Sequence, residues 1–193
     1  MPKPDAVSSI KGDIQPAELL NDSFRLGVKI LESGFRPDYI VAIWRGGTPI
    51  GIAVQELLDY AGVKTDHIAI RTSYYTDIEK TSERVQVHGL GYLIDKIDHD
   101  NRLLIVDDVF DTGKSIAAVI DEFEHRARRN LPHDIRIASP WYKPSKNVTD
   151  RKPDYFIHET DRWLVFPHEL QGLSENEIRA GKPEIAEILP EIS

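Results

Sequence analysis

The chain has 193 residues, enough for one well-filled α/β domain and short for two. With 40% hydrophobic and 29% charged residues it has the composition of an ordinary globular protein, and its formal net charge of −8 argues against a nucleic-acid partner, which broad basic patches would hold. It has no cysteine, which excludes a disulfide frame, a thiolate nucleophile and a Cys-ligated zinc.

The opening MPKPDAVSSIKGD lacks the apolar segment of a secretory signal, and the purest apolar runs, Tyr39–Trp44 and 103–106, are too short to span a bilayer. A cytoplasmic protein without membrane contact is therefore expected. Helical periodicity begins over 16–33, where Leu20, Phe24, Val28 and Leu31 line one face and Gly34 supplies a stop. YIVAIW, Tyr39–Trp44, is a continuous apolar run of the kind a strand buried on both faces shows. Residues 49–61 return to helix, with Ile50, Ala53, Val54, Leu57, Leu58 and Ala61 at helical spacing, Pro49 in the first turn and Gly62 at the end.

HIAIR at 67–71 predicts a short strand. Residues 72–88 are polar, charged and without a clear period, which reads as a disordered segment or a mobile functional loop. Arg102–Val106 predicts a second buried strand. A helix follows over 114–129, with Ile116, Val119, Ile120, Phe123 and Ala127 as its apolar stripe. Strands are expected at 135–139 and 155–160, and Ser174 with Glu177 forms a capping-box pattern in the tail. Strands alternating with helices predict a doubly wound, mainly parallel sheet. We expect a single domain over 1–193, with a core of about 36–140 and a small hood from 1–35 and 141–193.

The chemistry concentrates in LLIVDDVFDTGKS, residues 103–115. A buried strand ends in two adjacent carboxylates, and Asp-Thr-Gly-Lys-Ser then opens a helix. Ligands of parallel sheets bind beyond the carboxyl ends of the strands. A helix start leaves backbone N–H groups unpaired and carries partial positive charge. Thr112, Gly113, Lys114 and Ser115 can therefore wrap a phosphate, with Gly113 allowing close backbone approach. Asp107 and Asp108 would be repelled by that phosphate. They suit vicinal ribose hydroxyls or a magnesium ion instead, and the chain must turn there for both to face one ligand. Taken singly, each Asp of the string could simply cap a turn or helix. A Walker A loop is ruled out because position 108 is Asp rather than Gly.

The string VDDVFDTGKS resembles the signature of type I phosphoribosyltransferases, with Phe110 bulkier than the usual aliphatic. The resemblance implies that Asp107 and Asp108 bind the ribose 2′- and 3′-hydroxyls of phosphoribosyl diphosphate (PRPP), that Asp111, Thr112, Gly113, Lys114 and Ser115 hold its 5′-phosphate, and that Asp111 is the catalytic base. WRGGTPIG, residues 44–51, again joins a buried strand to a helix start. A Gly-Gly pair alone can mark only a tight turn. Beside the first motif it resembles the family's pyrophosphate loop, which implies that Arg45, Gly46 and Gly47 bind pyrophosphate and that the Trp44–Arg45 peptide is cis.

The resemblance extends to three further segments. Ser73 and Tyr74 match the mobile flap of the purine enzymes. Lys143, in a Lys-Pro context, matches the donor to a base's 6-oxo group; Trp163 would stack on the purine, and the Leu164 backbone would face its 2-position. Glu169 stands where the family more often has a metal-binding Asp, and a Mg²⁺ cofactor is implied, with Asp107 and Asp108 as further candidate ligands. The seven histidines lack zinc-ligand spacing, His168 beside Glu169 being the one to watch, and Asn147-Val148-Thr149 reads as an accidental glycosylation sequon.

The implied activity is a purine-salvage phosphoribosyltransferase closest to the xanthine-guanine and hypoxanthine enzymes, acting on PRPP and a 6-oxopurine as a homodimer or homotetramer. A non-catalytic PRPP-sensing regulator and a transferase for another acceptor, such as a pyrimidine, are the alternatives.

Overall fold

The computed structural model describes residues 11–76 and 83–190. In chain order the elements are β1 (Lys11–Asp13), α1 (Pro16–Glu32), β2 (Tyr39–Trp44), α2 (Gly47–Tyr60), β3 (Asp66–Thr76), β4 (Glu83–His88), α3 (Gly91–Ile94), β5 (Arg102–Val106), β6 (Val109–Phe110), α4 (Lys114–Ala127), β7 (Asp134–Ala138), β8 (Trp141–Tyr142), β9 (His158–Glu159), β10 (Trp163–Val165), α5 (Glu175–Gly181) and α6 (Pro183–Ile188). They fall into two compact units, Leu20–Asp161 and the pair of end segments Met1–Leu19 with Arg162–Ser193.

The larger unit is built on a five-stranded sheet of order β4-β3-β2-β5-β7, parallel except for β3 with β4. β2 lies at its centre and is buried from Ile40 to Ile43, as its unbroken apolar run requires. Alternate residues serve opposite faces. Val41, Ile43, Leu103, Ile105 and Ile137 join a core with Leu93 of α3 and with Ile116, Val119, Ile120 and Phe123 of α4. Each such side chain contributes on the order of 1.5–3 kcal/mol when fully buried. On the other pleat Ala42 faces α2, where a Cβ on Gly51 would come within 2.9 Å of its own.

From β2 the chain crosses to β3 on one side, whereas β5 pairs on the other side of β2. The direction of winding therefore reverses between β2 and β5, and the loops leaving their carboxyl ends flank the resulting crevice. A three-stranded parallel sheet, β6-β8-β9, continues from there.

The doubly wound, mainly parallel architecture is as expected, with local departures. The segment 72–88, read as irregular, continues β3 to Thr76 and returns antiparallel as β4, Arg71 pairing with His88 and Thr72 with Val87; residues 77–82 lie outside the described ones. On α1 the buried hydrophobics are Leu19, Leu26 and Ile30, beside the buried Asp22 and Ser23, while Leu20, Phe24 and Val28 are 51%, 37% and 40% exposed. That helix has two apolar stripes, and the inward one includes Gly27, against which Leu57 of α2 packs so closely that a Cβ would sit 2.6 Å from its Cδ2. The strand expected at 155–160 shrinks to His158–Glu159, with Tyr155 bridging Ala138 in isolation. The helix after the Gly-Gly pair starts at Gly47, ahead of Pro49.

In the smaller unit β1 pairs in parallel with β10, Lys11 opposite Trp163 and Asp13 opposite Val165. The predicted capping box is present: Ser174 Oγ accepts from the Glu177 N–H, and the Glu177 carboxylate accepts from the Ser174 N–H. Pro183 opens α6, where a missing N–H costs nothing. Among the described residues no helix is long and apolar enough to cross a membrane.

Candidate active site

The two signature loops meet at the crevice. β2 ends in a cis Trp44–Arg45 peptide, as the resemblance implied, and the Thr48 N–H returns to the Arg45 carbonyl at 3.2 Å. The glycines that follow answer to the neighbouring loop. A Cβ on Gly46 would fall within the Asp108 carboxylate, and one on Gly47 would strike the Val106 carbonyl, with Asp107 Cα 2.9 Å away. Close approach of the two loops to each other is thus itself a reason for Gly-Gly, beyond any ligand.

Beyond β5 the chain turns at once. The Asp108 N–H donates to Asp107 Oδ1 at 3.0 Å and the Val109 N–H to Asp108 Oδ1 at 2.8 Å, so each acid shapes the backbone after it. Desolvation of its carboxyl, reinforced by the Asp108 carboxylate, pushes Asp107 well above the usual carboxylate range. A Mg²⁺ ion or ribose hydroxyls would relieve that crowding of negative charge, so this oxygen-only pair fits either.

A cavity of about 200 Å³ follows, lined by Asp107, Asp108, Asp111, Thr112, Gly113 and Ser115 among others. Gly113, at φ +79°, caps α4, and its carbonyl accepts the Ala117 N–H at 2.9 Å. The helix start thus opens onto the cavity as the phosphate argument requires.

The small parallel sheet brings in a residue from further along the chain. Val109 pairs with Trp141 and Phe110 with Tyr142, and the Lys143 N–H donates to the Phe110 carbonyl at 2.9 Å. This register places the next residues, Asp111 and Lys143, side by side, and Lys143 Nζ donates to Asp111 Oδ2 at 3.2 Å. The Tyr142 ring meets Phe110 edge-on at 5.7 Å, which gives the bulky Phe110 a packing role beneath the loop.

At the sheet's edge Ser73 Oγ lies 3.1 Å from His88 Nε2 across the β3–β4 ladder. The Tyr74 backbone pairs with Val85, and its side chain lies outside the described residues. In the smaller unit Trp163 begins β10 with 60% of its surface exposed, whereas Leu164 is buried. Glu169 Oε2 accepts from the Phe166 N–H at 3.0 Å. Among the expected binding residues, Asp107, Asp108, Asp111, Thr112, Gly113, Ser115 and Lys143 converge, with Gly46 and Gly47 against them.

The segment after Lys143, which the sequence marks only by a sequon, also bears on the loop. The Val148 N–H donates to the Thr112 carbonyl at 3.1 Å, and Asn147 organises the turn that presents it. The available signal was the Asn-x-Thr triplet, a turn former as well as a sequon.

The family profile for the phosphoribosyl transferase domain matches residues 17–173. Among solved structures, a purine phosphoribosyltransferase from Pyrococcus horikoshii is 29% identical with a TM-score of 0.64, over 85% of this chain and 97% of that one. The xanthine-guanine-hypoxanthine phosphoribosyltransferase of Helicobacter pylori is 19% identical with a TM-score of 0.60, over 81% and 92%. A hypothetical protein from Neisseria gonorrhoeae with bound ppGpp is 19% identical with a TM-score of 0.72, over 92% and 100%. The last two likenesses are of fold. No curated protein matches the chain.

Proposed function

The chain belongs to the phosphoribosyl transferase family, and from that premise we propose that it transfers the 5-phosphoribosyl group of PRPP to a 6-oxopurine, hypoxanthine, guanine or xanthine, releasing pyrophosphate. The observation that carries the reading is the Lys143–Asp111 pair beside the helix-start cavity. A cation that can donate to a 6-oxo group and a carboxylate that can take a ring N–H proton stand within one base's reach of each other. As the base nitrogen bonds to C1′, the C1′–O bond to pyrophosphate breaks and the electron pair leaves with pyrophosphate. The nitrogen's proton passes to Asp111.

In this reading Asp111, Thr112, Gly113, Lys114 and Ser115 hold the 5′-phosphate, and Arg45, Gly46 and Gly47 the pyrophosphate. Asp107 and Asp108 take the ribose hydroxyls. Glu169 or the Asp107–Asp108 pair would hold a Mg²⁺ ion, which would supply charge to the leaving group. Trp163 stacks on the base, the Leu164 backbone faces its 2-position, and Ser73 and Tyr74 belong to a flap that excludes water from the cationic sugar. The protein acts in the cytoplasm as a homodimer or homotetramer. The test is to incubate it with Mg²⁺ and PRPP, supply each 6-oxopurine and a pyrimidine in turn, and follow nucleotide formation. Nucleotide from the pyrimidine alone would reassign the acceptor, and PRPP binding with no turnover on any base would make the protein a sensor.

A further inference from the structure

We infer that Asn147 is a positioning residue for the phosphate loop, acting through the turn Asn147-Val148-Thr149; the inference rests on the phosphoribosyl reading of that loop. The Asn147 side-chain amide is used at both ends. Its Oδ1 accepts the Thr149 N–H at 2.9 Å and the Thr149 hydroxyl at 2.9 Å, while its Nδ2 donates to the Arg151 carbonyl at 2.7 Å. The triplet that reads as a glycosylation sequon is therefore folded into a turn closed by its own asparagine.

The turn makes two contacts with the loop. The Val148 N–H donates to the Thr112 carbonyl at 3.1 Å. Thr149 Oγ1 lies against Gly113, where a Cβ would come within 2.5 Å of it and within 3.0 Å of the Phe110 ring. At the other end of the same segment the Lys143 N–H holds the Phe110 carbonyl at 2.9 Å. The carbonyls on both sides of Asp111 are thus secured by one stretch, 143–149.

The consequence for an anion follows from peptide geometry. In a trans peptide the N–H points opposite to the carbonyl. Fixing the Thr112 carbonyl on Val148 aims the Gly113 N–H away from the turn, and Gly113 lines the cavity. It also removes from the phosphate's side a carbonyl oxygen that would repel it. Without Asn147 the Thr112–Gly113 peptide is free to rotate, and Thr149 no longer braces the left-handed Gly113.

The test uses the full chain with two substitutions. Asn147→Ala removes both ends of the amide, and Asn147→Asp keeps the oxygen that Thr149 uses. The probe is ribose 5-phosphate, measured by calorimetry, with hydrogen exchange of the 109–116 segment followed in the ligand-free protein. Asn147→Ala should weaken ribose 5-phosphate binding about tenfold, the loss of one or two hydrogen bonds' worth of alignment, and speed exchange in that segment. Asn147→Asp should restore part of both, because it keeps the oxygen that Thr149 uses and loses the donor to the Arg151 carbonyl. Wild-type affinity in Asn147→Ala, unchanged exchange, or no rescue by Asn147→Asp overturns the positioning role. If the wild type itself does not bind ribose 5-phosphate, the phosphoribosyl reading fails, and exchange alone decides whether Asn147 holds the loop.

Discussion

Lys143 reaches Asp111 from a buried position: its side chain is 7% exposed against 41% for the aspartate, and the two are joined at 3.2 Å. In the proposed reaction the pair is the chemical centre of the site, and each member has a separable task. Asp111→Asn should cut kcat by about a hundredfold or more, the usual contribution of a general base, while PRPP binding changes little because the backbone that meets the 5′-phosphate is kept. It should also lower stability by about 1–2 kcal/mol, less than the full cost of breaking a buried pair because Asp111 is partly solvated. Steady-state kinetics with a parallel denaturation curve check both; an unchanged kcat removes Asp111 from proton transfer.

Lys143→Met keeps the length and apolar stem of the side chain and removes the donor. The KM for the 6-oxopurine should rise about tenfold or more, with the KM for PRPP near the wild-type value. Equal effects on both would place Lys143 with the loop's architecture and apart from base selection.

Gly46→Ala introduces a methyl group where the Asp108 carboxylate lies. The two loops must separate, and turnover should fall about a hundredfold for a displacement of about an ångström, with the core unaffected. Near wild-type kcat/KM in a folded Gly46→Ala variant would show that the loops separate without consequence.

The raised pKa of Asp107 sets a pH dependence. The folded protein holds this proton to higher pH than the unfolded chain does. The group's contribution to stability is therefore fully present below the unfolded carboxylate range and is lost as pH rises through the folded pKa. Asp107→Asn, which keeps the oxygen that accepts from the Asp108 N–H, should raise the Tm of the ligand-free protein at neutral pH and flatten its fall between acid and neutral pH, while weakening ribose 5-phosphate binding. A lower Tm in the variant would contradict the assignment of desolvation as the cause.

Removing Mg²⁺ with EDTA should abolish nucleotide formation, and added Mg²⁺ should restore it. Glu169→Gln should raise the Mg²⁺ concentration needed for half-maximal turnover. An unchanged requirement would leave the Asp107–Asp108 pair as the protein's contribution to the ion.

Much of this was legible because local pattern and tertiary demand agree. β2 and β5 are apolar without interruption because both faces are covered, and the stripe of α4 meets that core directly. On α1 two apolar stripes compete, and periodicity alone cannot tell that Leu26 faces inward while Phe24 does not; the decision lies with Gly27 and Leu57. The β3–β4 ladder escaped because strand pairing is a property of two segments, and ERVQVH by itself alternates only briefly. The helix-start cradle followed from residue types, whereas the Lys143–Asp111 contact depends on the register of β6 with β8, which no spacing along the chain encodes.

The winding reversal between β2 and β5 also bears on when the site comes into being. Tyr39 pairs with Leu103, so the crevice closes only after a long loop of chain has been ordered. Such non-local pairings are entropically late in folding. A chain whose α2 and β3 have already formed would still lack the second loop, and with it the cavity and its acids. Ligand-binding competence should therefore emerge as one of the last events of refolding, after most helical signal has returned, which makes the proposed sugar-phosphate site a reporter of completed β2–β5 docking.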